Sequence, residues 1–350
     1  MNVGIVTLYK VRNYGACLQA YAMQQILRGH GHEVYFLKSY DNKFANELLH
    51  NDLGQVKPWY IPYLIAKEVK YRQFFKKFRE LDMNQLRKLD CVLIGSDSVW
   101  KDRYGKMRTP SAFFGALEHN VISSYAPSVG GTYSISNYSA KQLEGLKKLK
   151  HITVRDEMSL KFIKEVTGHD ASLVVDPTLL VDWKSILEHE LIKNEQNYGR
   201  YILLYGGFDL KLINAIKQYA ASHNLQIVNV GGFNWRFLNN PVVNPLEFVQ
   251  LIQNSKIVLT SMFHGVMLSI ALNKNFRYLA LDPQRGTKIS TIIEQLELNE
   301  CIISKQDFII NPNIINLEIL QKKTVELLNV RRRESISELN KCLLTMEDFK

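Results

Sequence analysis

The sequence contains few cysteines and no closely spaced pair of them. The four cysteines, Cys17, Cys91, Cys301 and Cys342, are far apart in the chain and form no CxxC motif. Disulfide-stabilised scaffolds and structural zinc sites rely on such pairs, so neither is indicated. No cluster of histidines and carboxylates has the spacing of metal ligands either. We therefore expect neither a metal ion nor a cofactor.

Long hydrophobic runs are also lacking. No apolar stretch approaches the roughly 20 residues that a membrane-spanning helix requires. The first residues, Met1 to Ile5, lead directly into a strand pattern without the charged and then apolar segments of a signal peptide. These features predict a cytoplasmic protein.

Acidic residues are in the minority, and this bears on the partners to expect. The formal net charge is +10 and the pI is about 9.2, which favours anionic partners. No zinc finger, RNP-type aromatic motif or basic zipper is present, so nucleic acid is not expected. Small anions and lipid headgroups remain as candidate partners.

The chain is long enough for two domains. Its 350 residues are 46% hydrophobic and 22% charged, as in ordinary globular enzymes. Strand and helix patterns alternate in both halves, which predicts parallel sheets covered by helices. The alternation pauses in a mixed-charge stretch before Tyr201. We predict an α/β protein with two doubly wound, Rossmann-like domains, residues 1–190 and 191–350, the second ending in a long helix.

A basic, aromatic-rich stretch between residues 58 and 78 stands apart from this alternation. It includes Tyr60, Tyr63, Tyr71 and Phe74, and its later part has a helical pattern. Packing against the first domain is one explanation. Peripheral contact with a membrane surface is the alternative.

Polar and glycine-containing motifs follow several of the predicted strands. In open parallel sheets ligands bind beyond the carboxyl ends of the strands, so these motifs are candidates for substrate contact. The candidates are Asn13, Tyr14, Gly15, Gln19, Gly95, Ser96, Asp97, Arg155, Gly206, Ser261, His264 and Gly265. Each motif alone has a simpler explanation, since glycine pairs form turns and Ser or Asp residues cap helices.

His264 lies at the start of a predicted helix. A ligand bound there would meet free amides, the positive end of the helix dipole and an imidazole that can transfer protons near neutral pH. The alternative is a buried histidine that is hydrogen-bonded to neighbouring backbone. The spacing alone does not separate these two interpretations.

Six motifs in the same order resemble the polysaccharide pyruvyl transferase family. They are residues 13–22 (NYGACLQAYA), 95–100 (GSDSVW), 124–130 (SYAPSVG), 153–156 (TVRD), 175–178 (VDPT) and 263–265 (FHG). The resemblance covers most of the chain, and an ordered set of six motifs is far more specific than any one of them.

The resemblance implies a fold like that of the B-type glycosyltransferases, with two Rossmann-like domains facing across a cleft. It also implies phosphoenolpyruvate as the donor and a sugar hydroxyl pair as the acceptor, in a polysaccharide such as capsule, exopolysaccharide or cell wall, or in its lipid-linked precursor. The product would be a pyruvate ketal. His264, Arg155 and Lys288 match the family's histidine, arginine and later basic residue. Work at the inner face of the membrane would be compatible with the basic charge.

Two residues depart from the family pattern. Ser261 and Met262 stand where the family commonly has an acidic residue followed by a small or basic one. The alternatives that remain are a glycosyltransferase with a nucleotide-sugar donor and a catalytically silent saccharide- or anion-binding protein. The sequence specifies neither the acceptor nor the oligomeric state.

Overall fold

The computed structural model describes residues 1–40, 44, 60–103, 109–192, 198–281, 283–316 and 322–347. For residues 283–288, 315–316 and 344–347 it describes the backbone alone.

The first half of the chain builds a five-stranded parallel sheet in the order β3-β2-β1-β4-β5. The strands are β1 (Asn2–Val6), β2 (Glu33–Leu37), β3 (Glu80–Leu81), β4 (Cys91–Ile94) and β5 (Ile122–Ser124). Their residues are mostly apolar and buried on both faces, as is usual when helices cover a parallel sheet. The strand order reverses between β1 and β4, so their carboxyl ends form a switch point of the kind where ligands bind.

A second parallel sheet, in the order β12-β11-β10-β8-β9, follows in the other half of the chain. The strands are β8 (Tyr201–Tyr205), β9 (Gln226–Val230), β10 (Ile257–Thr260), β11 (Phe276–Ala280) and β12 (Ile302–Ser304). Here the switch point lies between β8 and β10. A separate pair, β6 (Thr153–Val154) and β7 (Ser172–Leu173), connects the two halves in sequence. The predicted α/β class with two doubly wound sheets is confirmed.

Helices cover both sheets. In chain order they are α1 (Tyr14–Gly29), α2 (Ile61–Phe75), α3 (Ala140–Lys147), α4 (Glu157–Thr167), α5 (Trp183–His189), α6 (Leu210–Ser222), α7 (Pro245–Asn254), α8 (Phe263–Ala271), α9 (Pro283–Gln295), α10 (Lys305–Ile310) and α11 (Lys322–Glu347). Among the described residues no helix is both long and apolar enough to span a bilayer.

An aromatic stack joins the two halves of the molecule. The ring of Tyr14 stacks on Tyr71 at 5.5 Å between centroids and on Phe248 at 4.6 Å, and Phe248 also contacts Tyr205. The hydroxyl of Tyr14 donates to the carbonyl of Val243 at 3.2 Å. These large rings bury much apolar area, so they fix α1 against α7 and bring the carboxyl ends of the two sheets together.

The terminal helix α11 packs on the first half of the chain. The Ser335 hydroxyl accepts a hydrogen bond from the amide of Val175 at 2.9 Å, and His151 lies 3.0 Å from Glu338. The prediction grouped this helix with the second domain because it follows that domain in sequence. Its spacing of apolar residues predicted a helix correctly but carried no information about the surface that the helix covers. The boundary between residues 190 and 191 remains a prediction.

Candidate functional site

The carboxyl ends of the two sheets meet at their switch points. Gly15 follows β1 and His264 follows β10, and the two residues are in direct contact. A Cβ atom added to Gly15 would lie 2.0 Å from the imidazole Nδ1 of His264. Only a glycine lets α1 approach the histidine this closely. The motifs predicted at strand ends therefore line one interface between the two sheets.

A cluster of buried charged groups lies beside this contact. Arg155 donates from Nη1 to Asp176 Oδ2 at 2.9 Å. From Nη2 it donates to Asp97 Oδ1 at 3.3 Å and to the Ser98 hydroxyl at 3.1 Å. Nε2 of His264 lies 3.6 Å from Asp176 Oδ2, which is an ion-pair distance rather than a hydrogen bond. Asp176 thus links the arginine of one half to the histidine of the other.

Local structure holds Asp176 in this place. Its other oxygen, Oδ1, accepts from the amide of Thr178 at 3.1 Å and from the Thr178 hydroxyl at 2.7 Å. Pro177 begins a 3-10 turn there, Pro177–Leu179, which packs against both α1 and α8. The turn therefore carries the carboxylate into the space between the two sheets.

The charges of the cluster stabilise one another. Burial alone would raise the pKa of Asp176, but His264, Arg155 and Thr178 more than offset it and hold the pKa well below its usual range. Burial also opposes ionisation of Asp97, yet Arg155 and His264 lower its pKa. For Arg155 burial disfavours the cation, but Asp97 and Asp176 raise its pKa. Both carboxylates and the guanidinium are therefore ionised at neutral pH.

Phe263 covers the guanidinium of Arg155. The carbon of that group lies 4.3 Å from the centroid of the phenyl ring, a cation–π geometry. Phe263 and His264 are the first two residues of α8, so one helix start supplies both the aromatic cover and the imidazole. The neighbouring N-cap residue, Met262, makes no side-chain capping bond.

Three buried polar atoms of the site have no hydrogen-bond partner among the described residues. They are Nε of Arg155, Nε2 of His264 and Oγ of Ser261. Buried polar atoms are hydrogen-bonded in the large majority of cases, so the atoms on Arg155 and His264, which Asp176 links, mark this cluster as a candidate ligand site. Arg155 and His264 are only 7% and 8% exposed. The site is closed in this arrangement.

Gly206, at the end of β8, allows a close approach at the second switch point, as Gly15 does after β1 at the first. Its φ of +143° is one that residues with a side chain rarely adopt. A Cβ atom there would lie 2.2 Å from the Ser261 hydroxyl oxygen. Gly265 packs similarly on Thr260, with a hypothetical Cβ 2.2 Å from its Oγ1.

Other candidates from the sequence have polar groups that bond within the protein. The Gln19 amide donates to Thr7, Leu8 and Ala16, accepts from the Ser96 hydroxyl, and is fully buried. Gln19 therefore holds Ser96 and its loop rather than facing a ligand. Asn13 caps α1 by accepting from the Ala16 amide at 3.1 Å. The side chain of Lys288, the third residue matched to the family, lies outside the described residues.

The structure adds Asp176, Phe263, Thr178 and Ser98 to the groups that surround the site. An aspartate before a proline is typical of a turn, and Asp176 does begin one, so local sequence alone concealed its contact with Arg155. The signal that could have revealed this contact is the order of the motifs. Arg155 lies in the fourth motif and Asp176 in the fifth, and each follows one of two successive strands.

Comparisons with known proteins identify the family and the fold of the chain. A model of the polysaccharide pyruvyl transferase family matches residues 13–283, which is more than half of the chain. The chain belongs to the polysaccharide pyruvyl transferase family. Membership indicates a transferase, and the match spans every residue of the buried charge cluster. No curated protein sequence matches the chain closely enough to count as a relative.

Solved structures show the wider fold of this family member. The UDP-GlcNAc 2-epimerase of Neisseria meningitidis, bound to UDP-GlcNAc, superposes with a TM-score of 0.56 at 13% identity, over 97% of this chain and 100% of the epimerase. An epimerase of Methanocaldococcus jannaschii gives 0.51 at 12% identity, over 92% and 94%. At such identities the likeness concerns the fold alone. The likeness confirms the prediction that this chain has two Rossmann-like domains arranged as in the B-type glycosyltransferases.

Proposed function

We propose that this protein moves the pyruvyl group of phosphoenolpyruvate onto two hydroxyls of a sugar, forming a pyruvate ketal and releasing phosphate. The observation that carries the proposal is the buried link from Arg155 through Asp176 to His264, where the switch points of both sheets meet. Family membership supports the reaction class, and the cluster supplies an anion-binding group beside a proton-transfer group.

The reaction needs two additions at one carbon. A first sugar hydroxyl attacks the central carbon of phosphoenolpyruvate while its CH₂ carbon takes up a proton and becomes a methyl group. A second hydroxyl then attacks the same carbon, and the C–O bond to phosphate breaks. One hydroxyl proton balances the new methyl group and the other leaves with phosphate. Proton transfer and anion binding are therefore the two demands on the site.

His264 meets the first demand. Its buried Nε2 has no hydrogen-bond partner among the described residues and can exchange a proton with a hydroxyl or with the CH₂ carbon. General acid–base catalysis of this kind contributes about 10² to 10⁴ in rate. Asp176 stabilises the positive charge that the imidazole acquires when it takes up a proton.

Arg155 meets the second demand through Nε and the remaining N–H groups of its fork. Its charge alone is insufficient, because Asp97 and Asp176 already balance it. A trianionic donor therefore requires a further cation, and Lys288 is the residue that the family resemblance suggests. Because the site is closed, the two sheets must separate to admit the donor.

The acceptor in this proposal is a sugar of a polysaccharide or of its lipid-linked precursor. A lipid-linked acceptor would place the enzyme in the cytoplasm at the inner face of the membrane.

The direct test incubates the protein with phosphoenolpyruvate and a panel of sugar acceptors, and measures phosphate release and acceptor mass. We expect phosphate release that depends on one acceptor, together with a product heavier by one pyruvyl group. His264→Ala should abolish turnover, whereas His169→Ala, at an exposed histidine, should not. Donor binding without product for any acceptor would instead support a silent anion-binding protein.

A second candidate is transfer from a nucleotide sugar. The observation that favours it is the fold shared with an epimerase bound to UDP-GlcNAc. Thermal shift separates the two, since a ligand that binds only the folded protein raises the melting temperature. Protection by phosphoenolpyruvate but not by UDP-sugars is expected here. The reverse result would favour the second candidate.

A further inference from the structure

An ordered loop in the second half of the molecule presents apolar side chains to solvent. The loop follows β9 and spans residues 231–240. Trp235 is 68% exposed, Leu238 is 99% exposed, and Phe233 is also exposed. Asparagines hold the loop from inside: Asn240 accepts from the Asn234 amide at 2.9 Å and donates to the carbonyl of Phe237 at 2.7 Å. The asparagine side chains thus bond within the loop, while Phe233, Trp235 and Leu238 face solvent.

Helix α2, in the first half of the molecule, also presents apolar side chains to solvent. Ile61, Ile65 and Val69 are four residues apart and therefore share one helix face. They are 47%, 62% and 50% exposed. Three exposed apolar side chains on one helix face are candidates for contact with a partner.

The helix and the loop contact each other across the two halves. The ring centroids of Tyr63 and Phe233 are 5.8 Å apart, and the Tyr60 hydroxyl accepts from the Phe233 amide at 3.3 Å. Lys67 donates to the carbonyl of Gly231. We define the exposed side chains of Ile61, Ile65, Val69, Phe233, Trp235 and Leu238 as the apolar surface.

The charge around the apolar surface is positive. Helix α2 and the loop carry four basic residues, Lys67, Lys70, Arg72 and Arg236, against one acidic residue, Glu68. Some of this charge is paired, since Arg72 bonds Glu68 at 2.6 Å and Lys70 bonds Glu247 at 2.7 Å. Arg236 lies over the Trp235 ring at 4.3 Å, beside the most exposed apolar groups. Exposed tryptophan and aliphatic side chains with adjacent arginine and lysine are typical of surfaces that bind anionic bilayers.

The apolar surface is also close to the candidate site. Tyr71 of α2 stacks on Tyr14 of α1. Gly15, which follows Tyr14 in the sequence, contacts His264. The stacked pair of Tyr71 and Tyr14 thus connects the helix to the switch point.

We infer that the apolar surface docks the protein on an anionic lipid bilayer. Trp235 and Leu238 insert at the level of the headgroups, α2 lies against the bilayer with its exposed face, and Arg236 meets lipid phosphate. Docking would present a lipid-linked acceptor to the reaction under the proposed function, and to that extent it rests on that proposal. Lipid binding is measured without turnover, however, so a failure of lipid docking can be distinguished from a failure of pyruvyl transfer.

The test is co-sedimentation with vesicles of phosphatidylglycerol and phosphatidylcholine, compared with vesicles of phosphatidylcholine alone. We expect binding to the anionic vesicles that weakens with salt, and a blue shift of tryptophan fluorescence. The double variant Trp235→Ser/Leu238→Ser should bind at least about tenfold more weakly and lose the shift, because it removes two inserted apolar groups.

Ile310→Ser is the matched control, because Ile310 is 74% exposed on α10 and outside the apolar surface. It should bind lipid like the unaltered protein. Equal binding to both vesicle types, or unaltered binding by the double variant, would overturn the inference. Light scattering provides a further test. If the unaltered protein were a dimer and the double variant a monomer, the apolar surface would bind a second copy of the chain, and the inference would also be overturned.

Discussion

The Oδ2 atom of Asp176 lies 3.6 Å from the Nε2 atom of His264 and joins two residues that follow strands of different sheets. The same oxygen accepts a hydrogen bond from Arg155 at 2.9 Å. One carboxylate therefore links Arg155 and His264, the residues proposed to bind the anion and to transfer the proton.

Replacing Asp176 by Asn should destabilise the protein by about 3 kcal/mol at pH 7, because it removes one partner of a buried ion pair. The pKa of Asp176 is lowered in the folded state, so its contribution is complete above the ordinary carboxyl pKa of about 4. It is lost as the pH falls toward the lower folded-state pKa. Urea unfolding at several pH values should show the gap between the two proteins narrowing below about pH 4.

Asp170→Asn provides the control for that series. Asp170 forms an exposed pair with Lys164, and its loss should leave the unfolding curve nearly unchanged. If the Asp176 variant were as stable as this control at pH 7, the buried link would have no energetic role.

Replacing Gly15 by Ala should lower turnover strongly while the protein stays folded. The new methyl group would lie 2.0 Å from the His264 ring and would have to displace it. A misplaced general acid or base costs on the order of 10²-fold in rate. The matched control is Gly29→Ala at the other end of α1, where a Cβ atom meets nothing within 4 Å. Equal turnover by the two variants would contradict the contact.

Replacing Arg155 by Lys should weaken donor binding even though the charge is kept. Arg155 uses separate nitrogens for Asp176 and Asp97, and a lysine ammonium has no comparable fork. We expect the KM for phosphoenolpyruvate to rise about tenfold or more, by the loss of a charge-assisted hydrogen bond. Arg331→Lys, in an exposed pair with Glu334, should keep the KM of the unaltered protein.

The sequence predicted the sheets well because their strands are compact runs of branched apolar residues. Strands β2, β4 and β8 are such runs of four or five residues. Strands β3 and β12 are runs of two and three residues, which are too short to show a periodic pattern in the sequence. The carboxyl ends of parallel strands share an edge, so Gly15, Gly206 and His264 were placed correctly at the switch points.

The contacts between side chains within the site could not be predicted from the sequence pattern. Asp176 precedes a proline, and a turn in that position looks the same whether its carboxylate faces solvent or a buried arginine. Gln19 was a candidate for ligand contact because it belongs to the motif that follows the first strand, but its burial against Ser96 depends on the fold of a loop 77 residues away. Such contacts arise from tertiary packing, which local spacing does not encode.

The return of α11 to the first half means that the chain crosses between the halves twice. Two connections restrict the relative movement of the two halves more than a single connection would. The amide of Val175 bonds Ser335 of that helix directly beside Asp176. A truncation of the C-terminal helix that removes Ser335 would therefore break a hydrogen bond beside the candidate site from a position remote in sequence.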